Sequence, residues 1–158
     1  RCERISDNLQ RLGLQATVLC ADAAKPSSWW DGRAFDAILL DAPCTASGIV
    51  RRHPDIPWLR RQTDLAALAK QQKNLLQALW PLLAKGGHLL YCTCSLFRQE
   101  GLDQVQAFLA NNTEAHLLPS PGQLIPGIPS NTRSLSDNLA GEHDGFFYAL
   151  LERRATGT

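Results

Sequence analysis

Short apolar runs alternate with segments of helical period along this chain, and that alternation leaves few folds open. Residues 16–20, 35–40 and 88–92 are strand-like runs, with a weaker one at 115–118 and another at 146–151. Between them, residues 1–12 set Ile5, Leu9 and Leu12 on one helical face, with Gly13 just past the end. From Leu59 onward, Leu65, Leu68, Leu75, Leu76, Leu79 and Leu83 keep the helical period. Pro81 is expected to kink the last turn of that helix, and Gly86-Gly87 to end it. Residues 97–109 predict a further helix. Residues 119–141, rich in Pro, Ser, Asn and Gly, read as a long loop, and Asp144-Gly145 as a turn. Strands alternating with helices predict an α/β layered fold with a mostly parallel sheet.

A length of 158 residues suits one domain, 1–158. The net charge of +1 neither demands nor excludes a nucleic-acid partner, because the placement of charge decides. The five cysteines are an odd number, which reads as free thiols in a reducing compartment rather than a disulfide frame. No pair of Cys-x-x-Cys elements is present, and His53 has no second His at a fitting spacing, so no metal is expected. No apolar stretch reaches the length of a membrane span and no signal peptide is visible, so a cytoplasmic protein with no membrane partner is expected.

In parallel sheets, ligands gather at the carboxyl ends of strands. Three reactive groups fall at such ends: Asp22, the segment Asp41-Ala42-Pro43-Cys44-Thr45-Ala46-Ser47-Gly48, and Thr93-Cys94-Ser95. Two thiols and a carboxylate at one site suit methylation of a cytosine at C5. C5 is a poor nucleophile until a thiolate adds at C6 and an acid group at N3 stabilises the charge that develops. C5 then takes a methyl from a sulfonium donor, a base removes the C5 proton, and the thiolate leaves. The thiolate is the reactive form, so its site should lower the pKa from about 8.5.

Asp41-Ala42-Pro43-Cys44 and Thr93-Cys94-Ser95 resemble motifs IV and VI of the RNA cytosine-C5 methyltransferases. Ser47-Gly48-Ile49-Val50-Arg51-Arg52-His53-Pro54-Asp55 and Asp144-Gly145-Phe146-Phe147 resemble the bacterial RsmB (Sun, Fmu) branch, which modifies small-subunit (16S) ribosomal RNA. The resemblance covers nearly the whole chain and is weakest through residues 119–141. It implies a class I, Rossmann-like SAM-dependent methyltransferase fold, S-adenosylmethionine (SAM) as cofactor and ribosomal RNA as partner, in a monomeric enzyme. It also implies that Cys94 is the nucleophile and that Cys44 assists breakdown of the adduct. Asp41 would contact the target base and lie near the methyl donor with Pro43, and Asp22 would accept from the adenine amino group. The family's glycine-rich SAM loop has no match here, so the chain is expected to be the C-terminal part of a longer enzyme, truncated at its N-terminal side and inactive alone.

Other readings of the same residues remain open. A DNA cytosine-C5 methyltransferase would use Cys44 as its attacking thiol. A catalytically silent RNA-binding module would need neither thiol, and a redox protein would pair Cys92 with Cys94, which share a strand face. Arg51, Arg52 and His53, with Arg60 and Arg61 beyond, form the densest basic stretch and are candidate RNA-phosphate contacts. Cys2, Cys20 and Cys92 read as small buried hydrophobes. Trp29, Trp30 and Trp58 read as packing under loops rather than as stacking platforms for bases.

Overall fold

The computed structural model describes residues 2–127 and 143–155. Among the described residues four α-helices, α1 (Cys2–Leu12), α2 (Ile56–Leu59), α3 (Gln62–Leu79) and α4 (Leu102–Asn111), accompany four strands. The strands are β1 (Phe35–Asp41), β2 (Leu83–Thr93), β3 (Ala115–Leu124) and β4 (Phe146–Arg153), in the sheet order β1-β2-β4-β3. The fold is α/β as expected, but among the described residues only β1 and β2 pair parallel. Strand β4 lies between β2 and β3 and runs antiparallel to both.

Alternation along β2 and β4 builds the core. Leu89, Tyr91 and Thr93 stand opposite Leu151, Ala149 and Phe147, all buried on one face. Onto that core pack Leu75, Leu76 and Leu79 of α3 and Val105 and Phe108 of α4. Trp80 meets Phe108 edge-on at 5.2 Å. Leu89 is fully buried. Leu89→Ala is expected to cost about 2–5 kcal/mol, read as a lower urea midpoint at unchanged slope.

Several local expectations shift. Residues 16–20 form no strand: no backbone hydrogen bond pairs them with a neighbour among the described residues, and Leu19 is exposed. Helix α3 stops at Leu79 because Pro81 diverts the chain into a 3-10 turn, Trp80–Leu82. Gly86-Gly87 therefore does not end a helix. The pair lies inside β2, where the register against β1 slips, and a Cβ on Gly87 would sit 2.9 Å from the Asp36 carbonyl oxygen.

The helix expected from residue 97 begins at Leu102, after a 3-10 turn, Arg98–Glu100, and a Gly101 whose backbone (φ −132°, ψ −103°) is not helical. Strand β3 runs on to Leu124 through Pro119 and Pro121, which a strand at the sheet edge tolerates. Of the rest of the expected loop, residues 125–127 leave the strand in a turn, and 128–141 lie outside the described residues. Helix α1 buries none of its residues fully, and none of them joins the core. No helix among the described residues is long and apolar enough to cross a membrane.

Candidate active site

Parallel pairing of β1 with β2 sets the site. Asp41 lies in register with Cys92, so both strands end at the same level. Three residues beyond Asp41 and two beyond Cys92, the loops bring Cys44 Sγ and Cys94 Sγ to 3.3 Å. Ala46, in the left-handed region at φ 62°, turns the first loop back toward the second. The loops are tied together by Gly48 N–H donating to the Cys94 carbonyl at 3.0 Å and Leu96 N–H donating to Ser47 Oγ at 3.0 Å.

The two thiols are not equivalent. The hydrogen bond to Cys94, helped by burial, pushes the Cys44 thiol far up, so Cys44 keeps its proton. The same bond, donated by Cys44, outweighs burial at Cys94 and brings that thiol down to about 7. Cys92 is pushed up to about 11, first by burial and then by the nearby Asp41 carboxylate. Its sulfur faces the Leu40 carbonyl and Asp41, so the partner of Cys94 is Cys44 and not Cys92. Cys20, read from the sequence as buried, is exposed, and Cys2 and Cys92 are half-buried.

Behind the thiols lies a fully buried carboxylate, Glu100. It accepts from Thr45 Oγ1 at 2.5 Å, Ser95 Oγ at 2.7 Å, Thr45 N–H at 3.0 Å and Gln72 Nε2 at 3.1 Å. Gln72 also donates to the Pro43 carbonyl at 2.9 Å, while Tyr91 OH donates to the Glu100 carbonyl at 2.8 Å. Arg60 Nε donates to the Thr45 carbonyl at 2.9 Å and holds the outer side of the loop.

Asp144, buried beneath the loop, meets Arg51 at 3.3 Å and Arg52 at 2.6 Å. The second contact is an ion pair without hydrogen-bond alignment, which leaves Asp144 Oδ2 with no aligned donor. The guanidiniums themselves are two-thirds exposed, and His53 is exposed beside them. Asp22 is also exposed. Its carboxylate accepts from Ala24 N–H at 3.0 Å, an Asx turn, and lies 3.7 Å from Lys25. Trp29 and Trp30 pack against the core as expected, whereas Trp58 is 88% exposed, contrary to the packing read from the sequence. Among the described residues no cluster of three or more His, Cys, Asp or Glu is placed to hold a metal ion.

The model of the family described as "16S rRNA methyltransferase RsmB/F" matches residues 1–152. The chain belongs to that family. A relative from Vibrio vulnificus, named "Ribosomal RNA small subunit methyltransferase B", is 47% identical over 98% of this chain, which spans 35% of that relative's length. The crystal structure of PH0851 superposes with a TM-score of 0.80 at 34% identity, over 96% of this chain and 34% of that one. The crystal structure of NSun6 from Pyrococcus horikoshii with SFG superposes with a TM-score of 0.74 at 25% identity, over 99% of this chain and 39% of that one. The fold is thus the Rossmann-like fold of SAM-dependent methyltransferases, as the sequence resemblance implied.

In this RsmB/F chain, sequence reasoning missed Glu100 and Gln72. Gln72 had a signal: it falls between Leu68 and Leu76 on the apolar stripe of α3, where a polar side chain must find a buried partner. Glu100 had none, lying in the polar run Arg98-Gln99-Glu100. The thiol pair yields a pH prediction. Cys44→Ala removes the main influence that lowers Cys94, so the midpoint of Cys94 alkylation against pH should rise from about 7 to the ordinary thiol range or above. Iodoacetamide labelling across the neutral range, with the Cys94 peptide followed by mass spectrometry, checks it.

Proposed function

We propose that this chain carries the reactive half of an enzyme that transfers a methyl group from SAM to C5 of a cytidine in small-subunit ribosomal RNA. The observation that carries the reading is the Cys44–Cys94 pair at 3.3 Å, with Cys94 the thiol that ionises near neutrality. Cys94 adds through Sγ to C6 of an unstacked cytosine, and the C5=C6 electrons move toward C5. Asp41, exposed at the end of β1, would share a proton with N3, which neutralises the charge that develops there. SAM, when bound, supplies the electrophilic methyl that C5 takes up. A base then takes the C5 proton, the double bond re-forms, and the S–C6 bond breaks. Cys44 donates its hydrogen bond to the departing Cys94 sulfur, which makes that sulfur a better leaving group. The attacking role suits Cys94 better than Cys44, because Cys44 keeps its proton.

A recess of about 460 Å³ beside β1 suits an adenosine-bearing cofactor. Its walls are apolar, with Trp29, Phe35 and Leu40 among them; Asp41 lines it, and Ala23, next to Asp22, lines it too. Asp22 would accept from the adenine amino group, and Asp41 with Pro43 would border the methyl donor. The family membership and the neighbour solved with the SAM analogue SFG support this assignment. Arg51 and Arg52, exposed over Asp144, and His53 would meet RNA phosphates.

The test is a chimaera in which this chain replaces the segment it matches in the Vibrio vulnificus relative. Incubated with methyl-labelled SAM and small-subunit RNA, it should yield 5-methylcytidine in the digested RNA. Label in another nucleoside, or in DNA in preference to RNA, would sink the reading.

A further inference from the structure

We propose that Glu100 is a positioning residue that sets the distance and aim of the two thiols by gripping the residue that follows each of them. The proposal rests on reading Cys44 and Cys94 as the reactive pair. Thr45 follows Cys44 and Ser95 follows Cys94, and the one Glu100 carboxylate accepts from the hydroxyl of each, at 2.5 and 2.7 Å. It also accepts the Thr45 backbone N–H, which fixes the loop itself and not only a side chain.

Glu100 is in turn held from behind. Tyr91 and Thr93 hydroxyls donate to its carbonyl at 2.8 and 3.2 Å. The following Gly101 lies so close to the Phe147 ring that a Cβ there would meet it at 2.8 Å. The grip is therefore anchored to the sheet core, while what it grips belongs to two loops from two strands.

No cation among the described residues forms an ion pair with Glu100; its partners are neutral donors. A fully buried carboxylate is a costly way to gain stability, since apolar packing at the same place commonly does as well or better. Its value lies in specifying one arrangement, because four converging donors are satisfied together only in this geometry. Glutamine in its place would turn one acceptor oxygen into a donor facing donors.

Charge and position have opposite consequences, so they can be told apart. The Glu100 charge opposes ionisation of Cys94, so losing the charge alone would ease ionisation. Losing the grip would withdraw the Cys44 hydrogen bond that eases it most, so ionisation would become harder.

The experiment measures iodoacetamide alkylation of Cys94 against pH in the full chain, with neither RNA nor SAM present. In Glu100→Gln the midpoint should rise by about one unit, which slows alkylation at pH 7 roughly fivefold. A folded Glu100→Gln protein whose midpoint is unchanged or lower overturns the proposal. Should that variant not fold, Thr45→Val and Thr45→Ser decide. Valine keeps the shape but loses the hydroxyl donor and should raise the midpoint, whereas serine keeps the donor and should hold it at the wild-type value. Equal midpoints in those two variants overturn the proposal. Failure of the methylation assay would not bear on this readout.

Discussion

Replacing Cys94 with alanine is expected to abolish covalent capture of RNA and to lower methyl transfer by at least about 10⁴-fold, the scale seen when a nucleophile is removed. The reason is local. Cys94 is the thiol brought down to about 7, and its neighbours Cys44 and Cys92 are both pushed up, so neither can replace it as a thiolate. Cys44→Ala should behave differently. Attack by Cys94 slows, because its stabilising hydrogen bond is gone. Breakdown slows more, because the departing sulfur has lost its donor. Turnover should fall about 10²- to 10³-fold, while a denaturation-resistant protein–RNA adduct accumulates. The double variant Cys44→Ala/Cys94→Ala should show no adduct. Gel mobility of the chimaera with labelled RNA, in denaturant, reads all three. An adduct that persists without Cys94 and depends on Cys44 would transfer the nucleophile to Cys44 and bring the DNA-type mechanism forward.

The second large effect is expected at Gly48. A methyl group there would sit 1.9 Å from the Gly145 carbonyl oxygen and 2.6 Å from its carbon, inside backbone that cannot swing aside like a side chain. Gly145 N–H also donates to the Gly48 carbonyl at 2.8 Å, and Gly48 N–H to Cys94. Relief would require the thiol-bearing loop to part from the turn before β4, with loss of the Gly145–Gly48 bond. Gly48→Ala should therefore cost about 3 kcal/mol or more, a fall of roughly 10 °C in Tm for a domain of this size. Calorimetry or thermal circular dichroism measures it, and a Tm within a degree or two of wild type would show that the loop opens without strain.

Much of the site was legible along the chain. Apolar runs ending in Asp41 and in Cys92-Thr93-Cys94 are strand ends on periodicity alone, and Asp-Ala-Pro-Cys with Thr-Cys-Ser carried the family. The leucine stripe of α3 was legible because burial of one helical face leaves its period in the sequence. Other elements were not. Residues 16–20 have the composition of a strand but lack a partner edge among the described residues, and strand formation requires that partner. Proline and glycine were misjudged where the sheet overrode them, Gly86-Gly87 inside β2 and Pro119 and Pro121 at the edge in β3.

The sequence by itself determined the alternating architecture, the family and the two motif cysteines proposed to react, because period and motif are properties of neighbouring residues. Only the tertiary structure decided that Cys44 and Cys94 meet, that Arg51 and Arg52 share the buried Asp144, and that Glu100 stands behind both thiols. Each of these depends on distances between residues far apart in the chain. Burial, charge and hydrogen-bond donors act through space, and nothing in the local pattern around Glu100 encodes the four donors that converge on it.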